Sequence, residues 1–210
     1  MRLSLYFAAA FLSFSTIFSG LVMAIEEPQY EVLEKEGDFE LREYAPMIVA
    51  ETLVDGDIDD AGSAGFKLIA GYIFGDNTAQ QGGSEKIEMT APVTMEPKSE
   101  KISMTAPVTM EETDDQWRMH FVMPSQYTMD TLPTPNNKKV TLREIPSRKF
   151  AVIRFSGFTG ESKVAKQEKA LQEWMEAKNL VPQGAFALAR YNHPWTLPFL
   201  RRNEVMVHYH

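Results

Sequence analysis

Two separate stretches of the chain run through the same order of elements, and that duplication narrows the possible folds more than any other feature. In the first, residues 30–35, 39–44 and 47–54 read as strands, broken by Glu36-Gly37-Asp38 and Ala45-Pro46, and a helix is predicted over 58–74. Asp57 stands where an N-cap belongs, Asp59 and Asp60 suit the positive end of the helix, and Gly75 offers a stop. In the second, strands are predicted over 140–145 and 150–155, a helix over 160–178 after Thr159, and strands over 185–191 and 204–209. Asn179 and Pro182 end that second helix. Each round carries a shared word, Leu41-Arg42-Glu43 and Leu142-Arg143-Glu144, followed by a strand and then a helix. A repeated strand-helix-strand unit predicts an α+β domain, a single antiparallel sheet or barrel with two helices on it.

A sharper repeat lies between the rounds. Lys86-Ile87-Glu88-Met89-Thr90-Ala91-Pro92-Val93-Thr94-Met95-Glu96 recurs over 101–111, with Ser103 in place of Glu88. Two copies are too few for a solenoid, which takes about three or more. Each Pro interrupts ladder donation, so the copies are expected as edge strands or a hairpin arm. Beyond them Trp117, Met119, Phe121 and Met123 alternate with Arg118, His120 and Val122, the pattern of a half-buried strand.

The first residues are set apart from the fold. Met1-Arg2 is a basic start, 3–12 is apolar, and Val22-Met23-Ala24 offers small residues where a signal peptidase reads. Cleavage after Ala24 is expected, leaving a domain over 25–210 in the periplasm or secreted. The alternative is an uncleaved anchor, since a span needs about 20 apolar residues, but Ser13, Ser15, Thr16 and Ser19 break the run. After signal removal no membrane span is expected. With no Cys, the chain has neither disulfides nor thiolate chemistry and relies on its core. A net charge of −8 argues against nucleic acid as a partner.

The two helices differ. The second carries a narrow apolar stripe of Val164, Leu171, Trp174 and Met175, as a surface helix does. The first is apolar over roughly 200°, well beyond the stripe of about 100° that docking on a sheet requires. Ala61, Gly65, Leu68 and Tyr72 are expected to face the sheet, leaving Phe66, Ala70 and Ile73 on a flank with Ser63 and Lys67 at its polar edge. That flank needs a cover: a loop, a partner or a ligand. The segment from Tyr191 to Asn203 is a loop by its Pro content, yet it carries Trp195, Leu197, Phe199 and Leu200 and ends in Arg201-Arg202. Such a loop either packs on the end of the barrel or closes over a flat apolar ligand with guanidinium groups at its acid end.

These residues also carry a family likeness. Tyr30-Glu31-Val32 with Leu41-Arg42-Glu43-Tyr44, the helix ending Tyr72-Ile73-Phe74-Gly75-Asp76-Asn77, the Lys-Ile-x-Met-Thr-Ala-Pro-Val word, Phe121-Val122-Met123-Pro124, and Tyr191-Asn192-x-Pro194 running into Arg201-Arg202-Asn203-Glu204-Val205 resemble the SOUL/haem-binding protein family over nearly the whole mature chain. The resemblance implies a distorted antiparallel β-barrel of two pseudo-symmetric halves with two helices, similar to the gyrase-inhibitor-like domains. It also implies a haem or other tetrapyrrole between the first helix and the loop before the last strand. The chain departs from the family by carrying the Met-Thr-Ala-Pro-Val word twice, by Ser63 and Gly71 where some members place basic residues, and by Glu43 where some place His.

The resulting expectation is an exported, non-enzymatic protein that binds a small planar hydrophobic ligand reversibly, for storage, scavenging or delivery. Phe66, Ala70, Ile73, Trp195, Leu197 and Phe199 would supply apolar contact, and Lys67 with Arg201 or Arg202 would meet propionates. His193 is the candidate axial ligand, against a solvent-facing loop histidine and binding without any axial protein ligand. His120 is expected to be structural or exposed, and His208 and His210 share one strand face. Two alternatives remain: a Cu(I)-handling protein using Met89, Met95, Met104 and Met110 among the twelve Met, and a protein-interaction module using the same apolar flank. The hydrolase and nucleotide-binding words are absent from the sequence.

Overall fold

A computed structural model of the protein describes residues 26–97, 116–193 and 195–210. The expected signal segment, Pro194, and the second copy of the repeated word with Met104 and Met110 lie outside the described residues.

The elements follow in the order β1 (Tyr30–Glu36), β2 (Phe39–Tyr44), β3 (Met47–Asp55), α1 (Ile58–Ile73), β4 (Asn77–Thr78), β5 (Val93–Pro97), β6 (Gln116–Val122), β7 (Thr134–Pro135), β8 (Thr141–Ile145), β9 (Arg148–Phe155), α2 (Glu161–Ala177), β10 (Pro182–Arg190), a 3₁₀ turn (Pro198–Leu200) and β11 (Asn203–Tyr209). The Asp57 side chain caps α1, accepting from the N–H groups of Asp59 and Asp60. Gly75 follows α1 at a positive φ of 120°, which a side chain would strain.

Nine strands form one antiparallel sheet in the order β1-β2-β9-β11-β10-β5-β6-β3-β8. Its two ends, β1 and β8, do not pair with each other, so the expected barrel stays open. Without β1, the order is symmetric about the β10–β5 pair: exchanging β2 with β8, β3 with β9, β5 with β10 and β6 with β11 returns it unchanged. The register obeys the same exchange, for Leu41 faces Ala151 as Leu142 faces Ala50, and Met95 and Leu188 pair with each other on the axis. The three-residue word thus marks two equivalent strands that have traded places, each joining the sheet of the other half.

Both helices pack on one face of this sheet, α1 on β3 and β6, α2 on β9 and β11. Close approach of α1 depends on Gly65, where an added Cβ would lie 2.9 Å from Met119 Sδ. The α2 stripe is as read, with Val164, Leu171 and Met175 buried and Trp174 stacked on Phe39 at 5.0 Å. Two expectations are corrected. The first copy of the repeated word does not form an edge, though the other reading, an arm paired antiparallel with the next described strand, fits β5 and β6: β5 sits between β10 and β6 in the middle of the sheet, because Pro92 precedes the strand rather than interrupting it. Within α1, Ile69 is fully buried while Leu68 is only partly so.

Candidate binding site

The flank of α1 is narrower than its sequence implies. Ile73 and Ala70, expected on it, are 1% and 8% exposed and belong to the interior. The reason is the first copy of the repeated word. The Ile87 N–H donates to the Ile73 carbonyl at 2.8 Å, the Asn77 side-chain amide bridges the carbonyls of Tyr72 and Glu85, and Ile87 is itself buried in the same core. What remains open on α1 is Phe66, 38% exposed and tilted against Phe121, with Ser63 and Lys67 in solvent beside it.

The loop before β11 leaves its apolar side chains in water. Its base is closed by Tyr191 N–H donating to the Arg202 carbonyl and by Arg202 N–H donating to Asn192 Oδ1. Its far end is pinned to the β9–α2 connection by Gly157 N–H donating to the Pro198 carbonyl. Between these ties Trp195 is 79% exposed and Phe199 70%, with Leu197, Leu200 and neighbouring Phe158 exposed as well. Large apolar groups grouped this way mark an interaction surface. Of the two readings the sequence left for the loop, packing on the barrel end is the one this exposure disfavours. His193 is exposed and lies flat on Trp195, with centroids 4.6 Å apart.

Strand alternation separates the two arginines that end the loop. Arg201 lies on the helix side, its Nε donating to the Thr196 carbonyl and its guanidinium 5.4 Å from the Phe158 ring centroid. Arg202 points to the opposite face, where it pairs with Glu204 and Glu27 at 2.9 Å and stacks on Tyr191. The expectation that Arg202 meets a ligand at α1 is therefore corrected.

A residue the sequence reading passed over stands between loop and helix. Arg190, the last residue of β10, faces α1: its Nη2 lies 3.9 Å from Asp59, and an added Cβ at Gly62 would stand 3.6 Å from its Nη1. Its Nε and Nη2 are buried and find no hydrogen-bond acceptor among the described residues. Burial, with the nearby Arg201 charge, draws its pKa below the ordinary arginine value despite Asp59. Buried N–H groups left without a hydrogen-bond acceptor, as Nε and Nη2 are with Asp59 at 3.9 Å, cost free energy that a carboxylate within hydrogen-bond reach would recover. The only sequence signal for it is its parity with Leu188, which puts both on the helix face.

The opposite, concave face holds a buried ion network. Arg42, 1% exposed, donates to both Glu204 oxygens at 2.8 and 3.0 Å and to Glu40 at 2.7 Å. Burial alone would raise the Glu204 carboxyl, but hydrogen bonds and charge from Arg42, with Arg202 and Tyr191, hold it below its ordinary value. Tyr44, in the same network, is pushed up to about 12, chiefly by burial.

Among the described residues no group of His, Asp or Glu is arranged to hold a metal, and no helix is long and apolar enough to cross a membrane. Met95 is 1% exposed and fills the space beside Gly62, so its thioether serves packing rather than the suggested Cu(I) site.

A sequence profile described as "SOUL heme-binding protein" matches residues 25–208. No curated protein sequence matches the chain significantly. Among solved structures, the chain is similar to the C-terminal domain of EcmrR, with a TM-score of 0.58 at 12% identity over 86% of this chain and 98% of that one. An uncharacterised conserved protein from Listeria innocua gives 0.58 at 12% identity over 82% and 92%. A hydrolase from Listeria innocua gives 0.54 at 13% identity over 85% and 94%. At such identities these likenesses speak for the fold alone.

Proposed function

This chain belongs to the SOUL heme-binding protein family, and on that premise we propose that it is an exported protein that binds haem or a related tetrapyrrole reversibly and does no chemistry on it. Storage, scavenging or delivery is its task, and the tetrapyrrole is cargo. The observation that carries the reading is the pairing of an exposed aromatic loop with the acceptor-poor guanidinium of Arg190 beside α1. Trp195, Leu197, Phe199 and Phe66 offer apolar contact to a flat ring, while Arg190 and Arg201 offer charge to its propionates. Covering roughly 300 Å² of apolar surface contributes about 7 kcal/mol. Each charge-assisted hydrogen bond to a carboxylate adds about 1.5–3 kcal/mol. Against association costs of several kcal/mol these sums support binding in the micromolar range, near −8 kcal/mol. His193, lying on Trp195, is the candidate iron ligand.

Titration of residues 25–210 with haemin, followed at the Soret band, tests this. Saturable one-to-one binding is expected, and linear, unsaturable uptake would overturn it. Protoporphyrin IX run in parallel isolates the iron bond: equal affinity removes His193 from the site.

A further inference from the structure

We propose that the concave face of the sheet, away from the helices, is a second binding site that takes an organic anion with an apolar body. The cleft there encloses about 570 Å³ between the two halves of the sheet. That lies within the roughly 300–1,000 Å³ of small-molecule sites. It exists because β10 offers no bulk on this side: where its register slips between Gln183 and Ala187, Gly184, Ala185 and Ala187 line the cleft while Phe186 packs against the main core. Met47, Phe150 and Met206 make an apolar floor, and Arg118, Arg143 and Arg148 stand in the wall.

The charge in this wall follows from the two halves differing at equivalent positions. The exchange that relates the halves carries Arg42 onto Arg143 and Glu204 onto Arg118. In one half, Arg42 is saturated by Glu204 and Glu40 and is sealed under the Tyr30 ring, 4.3 Å away. In the other half an arginine replaces the acid. Arg143 and Arg118 then both reach the Glu51 carboxylate, at 2.7 and 3.9 Å. No Asp or Glu lines the cleft among the described residues, and Arg148 adds a third cation. Three arginines lining one cleft on a chain of net charge −8 are a local departure in sign, and a recess with cations in its wall draws in the opposite charge. A bare inorganic anion would leave the apolar floor unused, so the fitting ligand is an amphiphilic acid.

The test uses anilinonaphthalene sulfonate as probe, in a Trp195→Ala, Phe199→Ala background that removes the exposed loop aromatics. Saturable binding with one site is expected, weakening about tenfold in Arg118→Gln, Arg143→Gln as charge-assisted hydrogen bonds are lost. Because that double change leaves Glu51 without partners, Glu51→Gln supplies an independent arm. Removing the competing carboxylate should tighten the probe about fivefold. Unchanged affinity in Glu51→Gln, or equal binding of a cationic dye of similar size, overturns the proposal. Haemin run on the same variants keeps the two sites apart. Loss of haemin binding with the arginines, and not with the loop aromatics, would place the tetrapyrrole in the cleft and sink the loop reading while supporting this one.

Discussion

Replacing Trp195 and Phe199 together by Ala should cost haemin affinity and nothing else. Trp195 is 79% exposed and Phe199 70%, so neither contributes much to the core. Large aromatic side chains carry about 150–250 Å² each, which leaves roughly 150 Å² of each in water at these exposures. A flat ligand covers one face, about 75 Å² per ring, and at about 25 cal/mol per Å² each ring contributes about 2 kcal/mol. Leu197, Leu200 and Phe158 remain beside the truncated positions and recover part of this. The expected loss is therefore about thirtyfold to a hundredfold in Kd, since each 1.4 kcal/mol is tenfold. Soret titrations of the parent and double variant measure it, with thermal melts by circular dichroism as the control. Exposed substitutions stay within about 0.5 kcal/mol. For a domain of this size that holds Tm to within about 2 °C. A loss below about threefold with an unchanged melt would refute the loop as the binding surface. A fall in Tm of more than about 5 °C would instead show that the aromatics hold the fold.

Arg190→Met should weaken haemin about tenfold by removing a charged donor, yet leave stability in urea unchanged or raised, because a buried guanidinium short of acceptors is replaced by an apolar chain of similar length. Glu204→Gln should destabilise by about 3 kcal/mol in urea unfolding, at the low end for breaking a buried pair because Glu40 still faces Arg42. The Glu204 carboxyl is held below its ordinary 4.5, so the stability it confers is complete above that value and is lost as pH falls through the depressed folded value. Stability against pH in the parent should accordingly drop in that acid window, and the drop should shrink in Glu204→Gln. Gly65→Val should destabilise by about 1–3 kcal/mol, as a side chain there meets Met119 at 2.9 Å.

The sequence was readable where a rule of local geometry sufficed. Strand alternation put Trp117, Met119 and Phe121 on one face and Arg118 and His120 on the other, and capping by Asp57 located the start of α1. The Leu-Arg-Glu word disclosed a duplication that the register repeats residue by residue. The aromatic loop was also visible, as apolar residues where Pro forbids regular structure. What failed was anything depending on a neighbour distant in sequence. Ala70 and Ile73 read as surplus apolar surface but are buried, and the segment that brings Ile87 against Ile73 lies more than a dozen residues further on. Arg202 read as a partner for a ligand until Glu204 and Glu27 claimed it.

Period and capping thus determined by themselves the two-helix α+β architecture, because it depends on backbone preference and on which face of each element is apolar, while the family was legible only through the likeness of particular motifs in their order. Which arginines are satisfied was decided only by tertiary structure. Charge pairing acts over a few ångströms between strands that chain order leaves far apart, so Arg42 and Arg143, alike in their local words, end up one sealed and one facing a cleft.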